Sequence, residues 1–152
     1  ALRLVGSEMC IRDSFMINPE SLANLHAQCF STPRPWSSKE FQELLLQTSV
    51  HLVSNNYGFI VGMLMGSEAE LLTLAVDPQR QREGIATELL QEFESLCRSN
   101  TVKKIILEVV ETNIPARKLY ETNSFIVQGA RKDYYSGANG IKVSAIVMVK
   151  VL

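Results

Sequence analysis

Residues 71–90 constrain the fold of this chain more than any other segment. The segment begins as an apolar run of strand type, is stopped by Asp77-Pro78, and passes through a basic turn that contains Gly84. Beyond the turn, apolar residues recur at the spacing of an amphipathic helix. The pattern predicts a strand, a tight turn and a helix whose N-terminus lies beside the end of the strand.

This predicted turn has the chemistry of an anion-binding site. The first backbone N–H groups of a helix have no partner within the helix and lie at the positive end of its dipole, so they can donate hydrogen bonds to a diphosphate. Gly84 allows a close approach of the backbone, and the small side chain of Ala86 does not shield it. Three ligand classes fit such a turn: a nucleoside triphosphate, a dinucleotide and an acyl-CoA.

The residue types in the turn exclude two of these ligands. The phosphate loop of a nucleoside triphosphatase needs Gly-Lys-Ser/Thr, whereas Gly84 is followed by Ile85 and Ala86. A dinucleotide site needs G-x-G-x-x-G, and the turn contains one glycine. An acyl-CoA site therefore remains, with a purely structural turn as the alternative.

The remaining segments predict one mixed α/β domain. Asn18-Pro19-Glu20 and the S-x-x-E pattern from Ser37 to Glu40 are signals for two helix starts. Runs of β-branched and apolar residues, separated by turn signals, predict strands. The predicted strands lie at about 50–54, 58–65, 69–76, 105–110, 125–128 and 144–151, and the predicted helices at about 19–30, 38–48, 85–99 and 114–121.

Composition restricts the possible partners. Lys plus Arg is 15 and Asp plus Glu is 16, so the net charge of -1 provides no basic field for nucleic acid or an anionic membrane. Hydrophobic residues make up 46% and charged residues 20%, as in folded soluble domains. No uncharged apolar run reaches the ~18 residues of a membrane-spanning helix. We expect a cytoplasmic protein, a monomer or weak dimer, with no nucleic-acid or membrane partner.

The cysteines and histidines do not predict a metal site. Cys10, Cys29 and Cys97 are far apart, without a C-x-x-C pair or nearby histidines, so neither a disulfide framework nor a metal centre is expected. His26 and His51 have no partnering motif, and we expect ordinary partly buried or surface histidines.

Residues 1–15 lack the periodicity of a helix or strand, whereas a strong helix start follows Met16. We expect residues 1–15 to be a non-native or disordered leader and residues 16–152 to be the single domain. The alternative is that Leu2 and the residues up to Val5 form a short edge strand.

The turn also matches a known signature. Residues 81–86 read Q-R-E-G-I-A, which fits Q/R-x-x-G-x-G/A and resembles the cofactor signature of the GNAT acetyltransferases. The preceding "LLTLAVDP" and the later "NIPARKLYETNSF" stand at that family's intervals. The resemblance implies the GNAT acyl-CoA N-acyltransferase fold, a mostly antiparallel central sheet flanked by helices, with acetyl-CoA as co-substrate. The implied cofactor contacts are Leu74, Ala75, Val76, Gln81, Arg82, Glu83, Gly84, Ile85, Ala86, Thr87 and Asn113; Glu83 puts an acid near the phosphates, which Arg80 and Arg82 can offset.

Two further pieces, "RPWS" around Trp36 and the pair Tyr134-Tyr135, resemble the bacterial RimI-type subgroup, which acetylates the N-terminal alanine of a small-subunit ribosomal protein. The resemblance implies a protein N-terminus, that of a ribosomal protein, as the acceptor. Ser124 and Ser144 depart from the family pattern, and the family's first strand is missing unless residues 1–15 supply it. These departures put the choice of acceptor in doubt, not cofactor binding.

The same resemblance implies the catalytic pair. Glu108 takes the role of general base, acting through a water, and Tyr120 that of general acid for the leaving thiolate. A free α-amine, with a pKa of about 8, needs less help to become nucleophilic than a lysine with a pKa of about 10.4. The structural alternatives are an ion pair for Glu108 and ring packing on the sheet for Tyr120.

The acceptor contacts expected from the resemblance are Trp36, Glu68, Tyr134 and Tyr135. The structural alternatives are a staple between two helices for Trp36, strand-edge aromatics for the two tyrosines and an exposed turn residue for Glu68. Two rival functions stay open: acetylation of a lysine side chain or small amine, and acyl-CoA sensing without turnover. A sensor has no need of an acid–base pair.

Overall fold

The computed structural model describes Leu4–Val5 and residues 18–152. This part of the chain forms one sheet with helices on both faces. The strands are β1 (Leu4–Val5), β2 (Val50–Ser54), β3 (Gly58–Met65), β4 (Glu68–Val76), β5 (Lys104–Val110), β6 (Ile126–Ser136) and β7 (Lys142–Val151), and the helices are α1 (Pro19–Cys29), α2 (Ser38–Leu45), α3 (Ile85–Ser99) and α4 (Ile114–Thr122).

The sheet has the order β1-β2-β3-β4-β5-β7-β6. Its pairs are antiparallel except for β1 with β2 and β4 with β5, which are parallel. The predicted mixed α/β domain with a mostly antiparallel sheet is confirmed. None of the helices in the described ranges is long and apolar enough to cross a membrane.

The predicted leader falls largely outside the described residues, as does Met16. Of residues 1–15, Leu4–Val5 are described, and they pair in parallel with Leu52 and Val53. At this position the structure agrees with the edge-strand alternative. The proposal that residues 1–15 are non-native stays a prediction.

Both predicted helix starts carry the expected caps. The side chain of Asn18 accepts a hydrogen bond from the backbone N–H of Glu20 at 2.8 Å. Ser37 and Glu40 form a reciprocal capping box at the start of α2. Because each cap satisfies N–H groups that the helix leaves free, these short residue patterns locate α1 and α2 correctly.

Two hydrophobic clusters lie on opposite faces of the sheet. Helices α1 and α2 cover one face, where Phe41 and Phe59 are fully buried. Helix α3 covers the other face, with Leu89 and Phe93 buried against Ile60 and Leu107. The amphipathic patterns in α2 and α3 are buried as predicted, because each helix has one apolar face to remove from water.

The prediction for β6 was too short. The sequence pattern indicated residues 125–128, whereas the strand continues from Ile126 to Ser136. It is an edge strand, exposed along almost its whole length, and pairs with β7. An exposed edge strand needs no alternation of apolar residues, so hydrogen bonding to β7 decides its length.

Candidate active site

The strands β4 and β5 pair over only part of their lengths. Their parallel ladder runs from Glu68 opposite Lys104 to Leu71 opposite Leu107 and ends there. At the same point the register of β4 with β3 shifts, which leaves Leu72 as the extra residue of a bulge. Beyond the bulge, the edge of β4 facing β5 therefore has backbone groups to offer an extended ligand.

The N-terminus of α3 lies beside this free edge. Its N-cap, Gly84, has a φ of 83°, and no side chain of the described residues caps the helix. Arg82 also adopts a positive φ, of 66°. The turn thus directs uncapped N–H groups of α3 toward the end of β4, as the sequence predicted for an anion site.

A cavity of roughly 500 Å³, here called the cofactor cavity, connects these two features. It lies between the end of β4, the start of α3 and the start of α4. Its lining includes the predicted cofactor contacts except Glu83. The lining residues are Cys29, Phe30, Leu74, Ala75, Val76, Arg80, Gln81, Arg82, Gly84, Ile85, Ala86, Thr87, Asn113, Pro115, Ala116 and Leu119.

Glu83 is in the predicted turn but is absent from the cavity lining. Its carboxylate lies 3.6 Å from the guanidinium of Arg80, which also stacks over the ring of Tyr57 with its Cζ 4.5 Å from the ring centroid. The acid near the expected phosphates is thus paired, and Arg82 is the second basic residue on the cavity wall.

Two side chains contact the backbone carbonyl of Val76 at the end of β4. The thiol of Cys29 donates to it at 3.3 Å, and the amide of Gln81 donates at 3.4 Å. Burial raises the pKa of Cys29, which keeps the thiol protonated as a donor. Asn113 caps α4 by accepting from Ala116 N at 3.2 Å while it also lines the cavity.

A second cavity, of roughly 120 Å³ and here called the acceptor cavity, brings together the two predicted catalytic residues. Glu108 comes from β5 and Tyr120 from α4, and both are on its wall. Trp36 and Tyr135 line it as well. The two cavities share Phe30, Leu74, Asn113, Ala116 and Leu119, so they adjoin.

Glu108 has a cationic partner in the structure. Arg131 Nε lies 2.9 Å from Glu108 Oε1, with Glu108 20% exposed and Arg131 56% exposed. Glu70, on the neighbouring strand, has a raised pKa because it is half-buried and is repelled by Glu108, while Arg131 opposes the rise. Burial, then Glu108, raises the pKa of Tyr135 in the same cluster. Glu70 and Arg131 were missed in the sequence because no motif links them to Glu108.

Tyr120 is enclosed but its hydroxyl is not engaged. The residue is 7% exposed, and its ring meets Phe125 edge-on with 5.7 Å between centroids. Burial raises the pKa of Tyr120 above its usual value, which keeps the phenol protonated. Within residues 18–152, its hydroxyl forms no hydrogen bond, so it is available as a donor to a ligand.

The other predicted acceptor residues are placed unequally. Tyr134 is 51% exposed and lies outside the lining of the acceptor cavity, with its ring packed against Tyr135 at 4.9 Å between centroids. Glu68 lies outside the cavity lining and pairs with Lys104 at 3.0 Å. The structure therefore brings Trp36 and Tyr135 together with Glu108, and it places Tyr134 and Glu68 outside the lining.

His26 also lines the acceptor cavity and is fully buried. The expectation of an ordinary partly buried or surface histidine was wrong. Its partners, Trp36 and Thr73, are 10 and 47 residues away along the chain. No local sequence pattern could reveal contacts over such separations.

Comparison with known proteins agrees with this geometry. The model of the Acetyltransferase (GNAT) family matches residues 20–125. A [ribosomal protein bS18]-alanine N-acetyltransferase of Haemophilus ducreyi is 33% identical over 98 residues, covering 64% of this chain and 68% of the relative. An N-alpha-acetyltransferase RimI of Mycobacterium tuberculosis is 34% identical over 128 residues, covering 77% and 79%.

Among solved structures, the crystal structure of the ribosomal-protein-S18-alanine N-acetyltransferase from Escherichia coli superimposes with a TM-score of 0.78. It is 25% identical and covers 95% of this chain and 91% of its own. Family, relatives and fold agree with the resemblance read from residues 81–86. The chain is an acetyl-CoA-dependent N-acetyltransferase and belongs to the GNAT family.

Proposed function

We propose that this enzyme transfers the acetyl group of acetyl-CoA to the α-amine of a protein N-terminus, specifically to the N-terminal alanine of ribosomal protein bS18. The observation that carries the proposal is that the two cavities adjoin. The cofactor cavity contains the N-terminus of α3, which suits a diphosphate, and the small acceptor cavity contains a carboxylate and a phenol. The named activities of the H. ducreyi and E. coli relatives support the acceptor. We expect a cytoplasmic monomer or weak dimer that needs neither nucleic acid nor a membrane.

The cofactor cavity fits acetyl-CoA in two ways. The diphosphate would accept hydrogen bonds from the free N–H groups of residues 81–87 and ion-pair with Arg82. The pantetheine arm would lie along the free edge of β4, from Leu74 to Val76, as an added strand. The same backbone groups would polarise the thioester carbonyl. Asn113 lies where the two cavities meet and would contact the arm near its thioester end.

The reaction needs one base and one acid. The incoming ammonium would lose a proton to Glu108 through a water, and the neutral amine would then attack the thioester carbonyl carbon. As the tetrahedral intermediate collapses, the C–S bond breaks and the departing thiolate takes a proton from Tyr120. The attacking nitrogen loses its second proton to solvent, which restores the phenol, and the proton on Glu108 is released. Burial raises the pKa of Tyr120, which keeps the phenol protonated but makes it a weaker acid than a thiol, so its proton would move in concert with cleavage of the C–S bond.

The first experiment distinguishes the acceptor. The full chain is incubated with acetyl-CoA and a peptide that starts with alanine and contains an internal lysine, and the acetyl group is located by mass spectrometry. Acetyl on the α-amine supports the proposal. Acetyl on lysine alone would transfer the function to a side-chain acetyltransferase, and tight acetyl-CoA binding without transfer would indicate a sensor.

Two substitutions test the catalytic roles. We expect Glu108→Gln and Tyr120→Phe each to lower kcat by roughly 100-fold or more, with little change in KM for acetyl-CoA, because each removes a proton-transfer group. Glu121→Gln, exposed on α4, and Tyr57→Phe, which keeps its ring under Arg80, are the matched controls. Full activity in either catalytic variant would contradict its assigned role.

A further inference from the structure

His26 of α1 is 1% exposed, and both of its ring nitrogens are engaged. Nδ1 accepts a hydrogen bond from the backbone N–H of Trp36 at 3.0 Å, and Nε2 lies 2.9 Å from Thr73 Oγ1. Because the Trp36 bond requires a lone pair on Nδ1, the proton of the neutral ring is assigned to Nε2, which donates to the hydroxyl of Thr73.

These two bonds connect parts of the chain that face the acceptor cavity. Trp36 lies in the segment of residues 30–37 that joins α1 to α2, here called the wall loop. Thr73 directly follows the bulge at Leu72, where β4 has ceased to pair with β5. One imidazole therefore joins the wall loop to the strand that borders both cavities.

Aromatic rings hold the imidazole in its orientation. Phe30 stacks on it at 4.4 Å between centroids, and Trp36 lies tilted at 5.1 Å. Phe41 and Phe59 enclose it from the core at 5.4 and 6.4 Å. These contacts restrict rotation of the ring, so both hydrogen bonds keep fixed directions.

In the middle of the wall loop, the backbone forms few hydrogen bonds to the rest of the described residues. Within residues 18–152, the bond from Trp36 to His26 is the single hydrogen bond between the backbone of residues 31–36 and the helices and strands. Side chains add two contacts to α2: Arg34 forms an exposed bidentate ion pair with Glu40 at 2.8 and 3.1 Å, and the Trp36 ring lies 5.3 Å from that of Phe41 between centroids. The bond to His26 is the contact that ties the backbone of Trp36 to α1 and, through Thr73, to β4.

We propose that His26 is a positioning residue of the acceptor site, which holds Trp36 and the wall loop against β4 so that the acceptor cavity is formed before the peptide binds. The inference rests on the proposed peptide acceptor only for its kinetic consequence. Preforming the wall removes an ordering cost from peptide binding, so its loss appears in KM for the peptide.

The protonation state of the ring supports this role. Burial lowers the pKa of His26 to about 4, and the charge of Glu40 offsets only part of that effect. The ring is therefore neutral at pH 7, and Nδ1 keeps the lone pair that the N–H of Trp36 requires.

Substitution of His26 by Asn or by Gln tests its hydrogen bonds to Trp36 and Thr73 one at a time. His26→Asn places an amide oxygen near the position of Nδ1 and retains an acceptor for Trp36, whereas His26→Gln places an amide nitrogen near Nε2 and lacks that acceptor. Thr73→Val removes the partner of Nε2, and Thr73→Ser restores a hydroxyl. Trp36 is the only tryptophan of the chain, so its fluorescence reports on the wall loop without any substrate.

We expect acrylamide quenching of Trp36 to increase in His26→Gln, His26→Asn and Thr73→Val, because each variant lacks one of the two bonds, and to stay close to the original level in Thr73→Ser. In the same three variants, KM for an alanine-starting peptide should rise about fivefold, the effect of one lost hydrogen bond, while KM for acetyl-CoA stays unchanged. Unchanged KM for acetyl-CoA shows that each variant is folded.

Unaltered quenching in both His26→Gln and Thr73→Val would overturn the proposal, as would a parallel rise of both KM values, which indicates general destabilisation. The fluorescence experiment needs no acceptor. If the enzyme modified lysine instead of an α-amine, the proposed acceptor would fail while the quenching result still decided the role of His26.

Discussion

The two cavities are built in different ways. The cofactor cavity takes much of its lining from one contiguous segment, residues 74–87, and offers backbone groups: a strand edge and an uncapped helix end. The acceptor cavity takes its polar groups from segments far apart in the chain, with Trp36, Glu108 and Tyr135 on its wall and Arg131 paired to Glu108.

This difference separates cofactor binding, which is the general function, from recognition of the acceptor, which is the specific one. Backbone recognition tolerates many side chains, so a strand, a glycine turn and a helix suffice to bind the same cofactor. Side-chain recognition depends on every strand being in register, because a shift by one residue would turn Glu108 to the other face of the sheet. Specificity for the acceptor is therefore a property of the whole tertiary structure.

The largest effect on the free energy of unfolding is expected at Gly62, where β3 packs closely against α3. Gly62 of β3 lies under α3, and an added Cβ would overlap the buried ring of Phe93. We expect Gly62→Ala to lower the free energy of unfolding by about 1–3 kcal/mol, through overpacking. Urea denaturation measures the change. Gly129→Ala in β6, where an added Cβ meets nothing within 4 Å, is the control and should be close to neutral.

The free energy of unfolding of the protein should depend on pH through His26, which lines the acceptor cavity. Its pKa is 6.5 in the unfolded chain and about 4 in the folded protein, so the unfolded chain binds the proton first as pH falls. The stabilisation is complete above pH 6.5 and is lost as the pH approaches 4. From pH 7 to pH 5 we expect a loss of about 2 kcal/mol, measured by urea denaturation.

His26→Asn has no titrating ring and should lack this loss. Glu40 does not interfere, since the side chain of Arg34 and then the N–H of Ser37 lower its pKa to about 2, and its stabilising effect disappears only at lower pH. The same pH dependence in the variant and the original protein would assign the effect to other groups.

Substitution of Gly84 and of Gly66 allows the effect of backbone strain to be distinguished from the effect on cofactor binding. Gly84 and Gly66 both have positive φ and open space around an added Cβ, but only Gly84 lies on the cofactor cavity. We expect Gly84→Ala to raise KM for acetyl-CoA about fivefold, because roughly 1 kcal/mol of left-handed strain falls on the anion-binding turn. Gly66→Ala carries similar strain and should leave KM for acetyl-CoA unchanged. Equal KM values in both variants would show that the turn does not bind the cofactor.

The smallest effect, on KM for the peptide, is expected at Glu68, which lies outside the acceptor cavity. Glu68 pairs with Lys104 away from the cavity, so Glu68→Gln should change KM for the peptide less than about twofold, as for an exposed ion pair. Glu70→Gln removes a charge from the cluster with Glu108 and Arg131 and should have the larger effect. Steady-state kinetics with the alanine-starting peptide measures both changes. A larger change of KM in Glu68→Gln than in Glu70→Gln would contradict the placement of Glu68 outside the acceptor site.

Much of the fold follows from local patterns. The caps at Asn18 and Ser37, the stop at Asp77-Pro78 and the glycine at position 84 each predict a boundary that the structure contains. The strand β6 was predicted too short because an exposed edge strand carries no hydrophobic alternation. Its length depends on hydrogen bonds to β7, which a local pattern does not contain.

By itself, the sequence determined the order of the elements and the cofactor turn, since both rest on interactions between residues close in the chain. Only the tertiary structure decided which polar groups meet at the acceptor cavity. The ion pair of Glu108 with Arg131 depends on the order of β5, β7 and β6 in the sheet. The bond of His26 to Thr73 depends on the bulge at Leu72, which turns Thr73 toward α1. Contacts between distant segments are set by register and packing, and neither is encoded in a short pattern.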